Sequence, residues 1–393
     1  MMNTAKAILK NNEEKDILEG FPWVYANEVD HFDGKINSGG LIDVCDSKGK
    51  FLARGYLNTS SKIIIRILTL IDEDIDSNFI YNRIKKAYDL RESLGVLNAC
   101  RLIFSEGDYL PGVVVDKYGD YLVIEIATLG MENYRSDILK ALNEIVKPLG
   151  IYERSNTPSR RKEGLEDRVG YCSEPFNPNI TIVENGIKLQ VNIENGQKTG
   201  YFFDQRENRA AIKPFVKNKR VLDCCTHTGS FAMHALKYEA REVVAVDISD
   251  TALEEAKINA TINGYTNIEF IKSDLFAYLS NVSKGEFDVI ILDPPAFIKN
   301  ASAMETGLAG YEKANSLALS KLNENGILIT FSCSGLLKIE SFFEMLKKSA
   351  KKAKVSTELL SFSLQGKDHP MLLAKLEKLY LKCAIIRVVK NNG

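Results

Sequence analysis

The stretch Arg220-Val221-Leu222-Asp223-Cys224-Cys225-Thr226-His227-Thr228-Gly229, continued by Phe231 to Tyr238 and closed by Glu242-Val243-Val244-Ala245-Val246-Asp247, decides the fold. A short apolar run, a polar loop, a helical segment and a second apolar run follow one another. The same rhythm continues in Ala252 to Asn263, Ile268 to Ile271, Phe287 to Leu292 and Ile327 to Phe331. Strands alternating with helices at this spacing predict a parallel sheet covered on both faces, a Rossmann-like α/β domain. In such sheets ligands sit beyond the carboxyl ends of the strands, where the strand order reverses.

Toward the N-terminus the pattern changes. Gly39-Gly40, Leu41 to Cys45, Asp46-Ser47-Lys48-Gly49, Phe51 to Leu57 and Ile63 to Leu68 alternate turns with short strands, which predicts a small β-barrel-like domain over residues 1–75. After the acidic break Asp72 to Ser77, a helix is predicted over Asn78 to Leu94. Strands follow at Leu102 to Phe104, Val113 to Asp116, Tyr121 to Ala127 and Gly150 to Glu153, with a helix over Tyr134 to Val146. Asn185-Gly186 between Ile180 to Glu184 and Ile187 to Ile193 is the strongest hairpin signal in the chain. At 393 residues the chain exceeds what one core supports. Three parts are expected: 1–75, a small central α+β domain over 76–194, and the α/β domain over 195–393.

Composition narrows the function classes. A net charge of −1 argues against an indiscriminate nucleic-acid binder. The local basic groups, Arg154, Arg160, Arg161 and Lys162, then Lys347, Lys348, Lys351, Lys352 and Lys354, read as solvated faces before phosphate tracks. No run approaches the roughly 18 apolar residues of a membrane helix, and Met1 to Lys6 leads into no secretory segment, so a cytoplasmic protein off the membrane is expected. The seven cysteines form no CxxC pair, so neither a zinc site nor a disulfide framework is indicated, and no metal is expected.

The loop Asp223 to Gly229 occupies the ligand position after the first strand, with Gly229 at the helix start where a backbone approaches a ligand closely. Cys225 and His227 stand where glycines are common in such loops. Asp247 ends the second strand 18 residues after Gly229, a spacing suited to ribose hydroxyls, and Asp274 follows the third strand, beside the adenine. Singly, each acid also reads as a cap or turn residue. Three acids at successive strand ends outweigh that reading. Without a phosphate-cradling glycine fingerprint, an adenosyl cofactor lacking phosphates is favoured over a dinucleotide.

The fourth strand ends in Asp293-Pro294-Pro295-Ala296-Phe297. The two prolines fix the backbone and remove two N–H donors, which holds the Asp293 carboxylate at the ligand mouth. Phe297 suits stacking on an extruded base; the alternative is a rigid turn with Phe297 in the core. The fifth strand ends in Thr330-Phe331-Ser332-Cys333-Ser334-Gly335, which places a thiol where a ligand reaches it. Pyrimidine C5 is a poor nucleophile until a thiolate adds at C6, so Cys333 is the candidate nucleophile; the alternative is a small apolar filler. Cys224 and Cys225 read as packing residues. Between Asn195 and Arg209, three aromatics, Tyr201, Phe202 and Phe203, lead into a charged helix. This suits a flap whose Arg206 meets a carboxylate bidentately, or a linker before a solvated helix.

Taken together, Gly196-Gln197-Lys198-Thr199-Gly200 with Asp204-Gln205-Arg206, the Asp293 to Phe297 motif, the Thr330 to Gly335 motif and, more weakly, Asp368-His369-Pro370 resemble the RlmI-type family of bacterial 23S ribosomal RNA (cytosine-5) methyltransferases. The resemblance implies a PUA domain, a small α+β domain and a class I methyltransferase domain in that order. It implies S-adenosylmethionine as cofactor, 23S ribosomal RNA as partner, Cys333 as nucleophile and Arg54-Gly55-Tyr56 with Asn58 in the RNA-binding module. Ala296 departs from the lysine common in relatives, and the Asp293-Pro294-Pro295 segment lacks the second cysteine of two-cysteine enzymes. The expected cofactor residues are Phe203, Gln205, Arg206, Asp223, Thr226, Thr228, Gly229, Asp247, Ile248, Asp274, Leu275 and Asp293. Cys333 and Asp293 are the expected catalytic pair, with Pro294, Pro295, Phe297 and Arg54 on the substrate. A homodimer is admitted. The alternatives are N-methylation of a base, which needs no thiol, and a non-catalytic ribosome-assembly protein on the same fold.

Overall fold

The computed structural model describes residues 4–391, which fall into two compact units. Among the described residues, the first takes 4–182, 191–203 and 367–376, and the second 183–190, 204–366 and 377–391.

In the first unit, Trp23–Tyr25, Ile63–Thr69, Phe51–Leu57, Leu41–Cys45, Ala5–Leu9 and Val29–Asp33 form a six-stranded sheet in that order. Val24, Ile42, Val44, Ala53, Ile65 and Ile67 supply its core. The three strands expected here are present, and three more join them. Trp23–Tyr25 has only three residues, and Val29–Asp33 is largely exposed past its first residue, so neither carries the alternation that marks a strand. A second sheet orders Arg168–Tyr171, Gly150–Ser155, Tyr121–Ile126, Val113–Tyr118 and Ala99–Phe104. Helix Ser77–Ser93 begins where Asp76 accepts from the Phe79 N–H at 2.8 Å, which stabilises its first turn by about 1 kcal/mol.

One expectation needs correcting. Arg160 is not on a solvated face: it is 2% exposed and donates to the Ile126 carbonyl and the Glu132 carboxylate, each at 2.7 Å. A buried guanidinium persists only with such partners. Lys347, Lys348, Lys351, Lys352 and Lys354 are exposed.

The strands of the second unit are β1 (Arg220–Cys224), β2 (Glu242–Asp247), β3 (Ile268–Lys272), β4 (Val289–Leu292), β5 (Ile327–Ser332), β6 (Val355–Ser363) and β7 (Lys382–Asn391). Their order is β3-β2-β1-β4-β5-β7-β6. Strands β1 to β5 are parallel, and the order reverses between β1 and β4. The expected parallel sheet is thus extended by β7, which runs antiparallel to both β5 and β6. Helices α1 (Ser230–Lys237), α2 (Asp250–Ile262), α3 (Leu275–Asn281), α4 (Met304–Lys321) and α5 (Ile339–Lys352) complete it. Leu222, Val244, Ile290, Leu328 and Ile386 from the sheet pack with Ala314, Leu319, Phe342 and Leu346 from the helices. Each such aliphatic or aromatic side chain contributes about 1.5–3 kcal/mol by leaving water, which holds the strand ends in place.

The Asn185-Gly186 turn has φ of 50° and 75° at its two central residues, the left-handed pair that a two-residue hairpin requires. Beneath it the helix Arg206–Ala211 is buried rather than solvated. Glu184, 0% exposed, receives Arg209 Nε at 2.6 Å and Nη2 at 3.0 Å. Arg209 thus meets a carboxylate bidentately, and Arg206 Nε approaches the same carboxylate at 3.6 Å. Burial raises the Glu184 pKa, but Arg209, His234 and Arg206 pull it below its ordinary value. His234 beside it stays neutral: burial lowers its pKa to about 4.

Candidate functional site

The register of β1 places Asp223 and Cys224 opposite Ala245 and Val246 of β2 on one side and Ile291 and Leu292 of β4 on the other. The loops that leave these strands therefore emerge together. Asp223 Oδ2 accepts from Thr226 Oγ1 at 2.5 Å and from the Ala232 N–H at 3.0 Å, which ties the carboxylate to the start of α1. Asp247 Oδ2 accepts the His227 N–H and Oδ1 the Ser249 N–H, both at 2.9 Å. A carboxylate held by main-chain donors has a fixed direction, which a ligand-binding acid needs.

Between Asp223 and Gly229 the chain enters the left-handed region three times, at Cys225 (φ 60°), His227 (52°) and Gly229 (80°). This explains why glycines are common at the first two positions, and why a cysteine and a histidine there are locally strained. The Ala256 side chain would lie 3.1 Å from a Cβ added at Gly229, so a larger residue would have to push α2 away by a few tenths of an ångström while straining its own backbone at φ 80°.

Four acids converge on this loop. The Cys225 thiol is pushed up first by burial and then by Asp247, Asp293, Asp223 and Asp274. Asp223 is 1% exposed, and its carboxyl is pushed up to about 7. Burial is the main cause, and Asp293 and Asp247 add repulsion. Asp274 also caps α3, accepting from Phe276 and Ala277 N–H at 2.9 and 3.0 Å, so its capping role and its place at the site coexist. Leu275 and the side chains of Thr226 and Thr228 are buried, and Ile248 is exposed.

Gln205 spans toward the other half of the site. Its Nε2 donates to Asp293 Oδ2 at 3.0 Å, and its Oε1 accepts from Asn208 Nδ2 at 2.7 Å. Asn208 in turn accepts from Ser363 Oγ at 2.7 Å. This chain of three polar side chains fixes the amide orientation of Gln205. Phe203 lies in the first unit, where its ring packs with Tyr118 and Tyr201 at centroid distances of 5.1 and 5.2 Å. Arg54 is also in the first unit, its Nε on Asp43 at 2.7 Å and its Nη2 on Asp72 at 2.8 Å.

Beyond β4 and β5 the two remaining motifs meet. The Cys333 thiol reaches the Pro294 carbonyl at 3.9 Å, a weak sulfur contact. Ser334 Oγ accepts the Ile298 N–H at 3.2 Å and lies 2.9 Å from the Tyr311 hydroxyl. Cys333 itself is half-buried, while its neighbours Ser332 and Ser334 are buried. The Phe297 ring sits between Tyr311 (4.7 Å) and Phe276 (6.3 Å) and is half-buried, so it both packs and faces outward. Pro294 is buried and Pro295 exposed. Cys224 is a core residue, as expected.

Three participants escaped the sequence reading. Asn208 and Tyr311 gave no signal, being one amide and one aromatic on helices. Lys382 did give one: a lysine standing between Leu381 and the apolar run Cys383 to Ile386.

Residues 7–70 match the PUA-like domain family, and residues 167–313 the S-adenosylmethionine-dependent methyltransferase family. A protein of Tolumonas auensis named ribosomal RNA large subunit methyltransferase I is 40% identical over 391 residues, covering 97% of this chain and 98% of that one. Its namesake from Erwinia tasmaniensis is 38% identical over 395 residues, covering 98% and 100%. Among solved structures, a chain described as a SAM-dependent methyltransferase from Streptococcus mutans superposes with a TM-score of 0.81 at 21% identity, over 98% of this chain and 100% of that one. A methyltransferase complexed with SAH gives 0.82, also at 21% identity and with the same coverage. These two structures speak to the fold.

Proposed function

The chain belongs to the ribosomal RNA large subunit methyltransferase I family, and from that premise we propose that it methylates C5 of a cytosine in large-subunit, 23S, ribosomal RNA through a covalent adduct of Cys333. As a member it is an S-adenosylmethionine-dependent ribosomal RNA methyltransferase. The proposal concerns the atom that is methylated and the residues that do the work.

One observation carries the cofactor half: negative groups crowd the ends of β1, β2 and β4. Asp223 Oδ1 is buried without a hydrogen-bond partner among the described residues. Burial raises its pKa, and Asp293 and Asp247 push it up further against the bonds from Thr226 and Ala232. A positively charged ligand relieves that repulsion, and an adenosyl sulfonium with an ammonium group is such a ligand. Asp223, Thr226, Gly229, Asp247, Asp274 and Gln205 are the residues we assign to it. Bound there, S-adenosylmethionine supplies an electrophilic methyl group.

The chain's own residues prepare the acceptor. The Cys333 thiolate adds to C6 of the ring, and the C5–C6 electron pair becomes available at C5 for the new carbon bond. A base then takes the C5 proton, the electron pair of the broken C5–H bond re-forms the C5–C6 double bond, and the thiolate leaves C6 with the pair of the C–S bond. Asp293, oriented by Gln205, and Phe297 at the mouth hold the ring. We read residues 1–75 as the part that finds the RNA, the division at 75 and 194 as functional, and the cytoplasm as the site of action.

A 23S fragment carrying 5-fluorocytidine tests this. With fluorine at C5 there is no proton to remove, so the adduct persists once the methyl group is on. The expected result is a cross-link on the Cys333 peptide that requires S-adenosylmethionine. Methylation of the unmodified fragment with no such cross-link would move the reaction to a nitrogen.

A further inference from the structure

Lys382 opens β7 opposite Ser332, the last residue of β5 and the one before Cys333. Its side chain is fully buried. Nζ donates to the Ser334 carbonyl at 2.9 Å and to the Tyr380 carbonyl at 3.2 Å. The ammonium thus grips the peptide on the far side of Cys333 from the residue with which it pairs across the sheet. Burying a cation is costly unless it meets a charge or serves a purpose. Among the described residues no carboxylate pairs with it. Burial pushes its pKa down to about 8, and the one charge-bearing group that opposes this shift is Cys333.

We propose that Lys382 is a positioning residue whose buried ammonium holds Cys333 as a thiolate and fixes the strand end that presents it. The proposal rests on Cys333 being the nucleophile. Lys382 from β7 and Tyr311 from α4 both bear on that thiol, and Asp293 directly precedes the proline whose carbonyl the thiol touches. Tyr311 is held neutral, burial being the main cause of its raised pKa, and it is already bonded to Ser334. Lys382 is the cation among them. Its two carbonyl bonds leave the third ammonium hydrogen for a third partner.

The test reads the thiol without any RNA. The rate of Cys333 alkylation by iodoacetamide, followed by peptide mass across pH 6–10, gives the midpoint at which the thiolate forms. An ordinary cysteine has its midpoint near 8.5. The wild-type protein is expected well below that, and a midpoint at or above 8.5 overturns the proposal before any variant is made. Lys382→Gln keeps donors for the two carbonyls and removes the charge, and its midpoint is expected to rise by one unit or more. Methyl transfer at pH 7 should then fall at least tenfold and recover as pH rises. Lys382→Arg, which keeps a cation, is expected to stay within half a unit of wild type. An unchanged midpoint in Lys382→Gln refutes the role of Lys382. Full transfer by Cys333→Ala refutes the nucleophile reading instead, and the two failures are separable because alkylation needs neither cofactor nor RNA.

Discussion

The two halves of the sheet's carboxyl edge are built on opposite electrostatic plans. On the β1, β2 and β3 side, acids at successive strand ends crowd a strained loop, and main-chain N–H groups hold all three of them, Asp223, Asp247 and Asp274, in place. On the β5 and β7 side, a thiol and hydroxyls share the strand end with one buried ammonium, which donates to the Ser334 and Tyr380 carbonyls. In the proposed mechanism the first half concentrates negative charge for a cationic cofactor, and the second supplies a positive charge where an anionic nucleophile forms. Gln205 joins the two through Asp293. A single field across the whole edge would serve one task and oppose the other.

The comparison breaks most visibly at Cys333. Cys333→Ala is expected to reduce methyl transfer to a 23S fragment by at least about a thousand-fold, as loss of an essential covalent nucleophile does, while S-adenosylhomocysteine binding by calorimetry stays within about twofold of wild type. Loss of both together would show that the halves are not separate. Asp247→Ala reverses the pattern. It removes the acceptor of two main-chain bonds and the acid we assign to the ribose, and should weaken S-adenosylhomocysteine about 10- to 100-fold, the worth of one or two charge-assisted bonds. Cys333 alkylation should not change.

Next in size is a pH effect confined to the acidic half. The folded pKa of Asp223 is raised from 3.8 to about 7. The folded protein therefore holds this proton more tightly than the unfolded chain. The group's contribution to stability is at its most favourable below pH 3.8 and is eroded as pH rises to about 7. A cationic cofactor favours the ionised form, so its affinity should rise up to about tenfold between pH 6 and pH 8, with proton release on binding. In Asp223→Asn that slope should vanish; a slope that persists would place the titration elsewhere. The smallest effect belongs to Phe297→Leu. Because its ring is shared between packing and the mouth, we expect a KM for RNA about three- to tenfold higher at little cost in cofactor binding.

The same contrast explains what was legible in the sequence. The acidic half was readable because each of its elements is local: a Val/Ile-rich strand, then its acid, then a helix. Even the departure from glycine at Cys225 and His227 marked the loop whose backbone proved to be left-handed. The other half depends on pairing between distant segments. β6 is mostly exposed or half-exposed beyond Val355, and β7 opens with a lysine, so neither read as a strand of the central sheet. Lys382 means little until β7 is laid against β5. Arg206 and Arg209 were likewise indistinguishable on a charged segment, and only the hairpin carrying Glu184 separates them. The ion pairs that Arg54, expected to meet RNA, makes with Asp43 and Asp72 were also invisible until the strands were paired.

The central claim, that an acidic cofactor half and a thiolate half cooperate to methylate carbon, is tested most directly by mapping methyl groups in ribosomal RNA. Large-subunit RNA from cells lacking the gene should be compared with RNA from the same cells supplied with the wild-type protein or with Cys333→Ala. The account predicts one 5-methylcytosine absent from the deletion strain, restored by the wild type and not by the variant. A missing methyl on a ring or exocyclic nitrogen, or a 5-methylcytosine restored by Cys333→Ala, would contradict it.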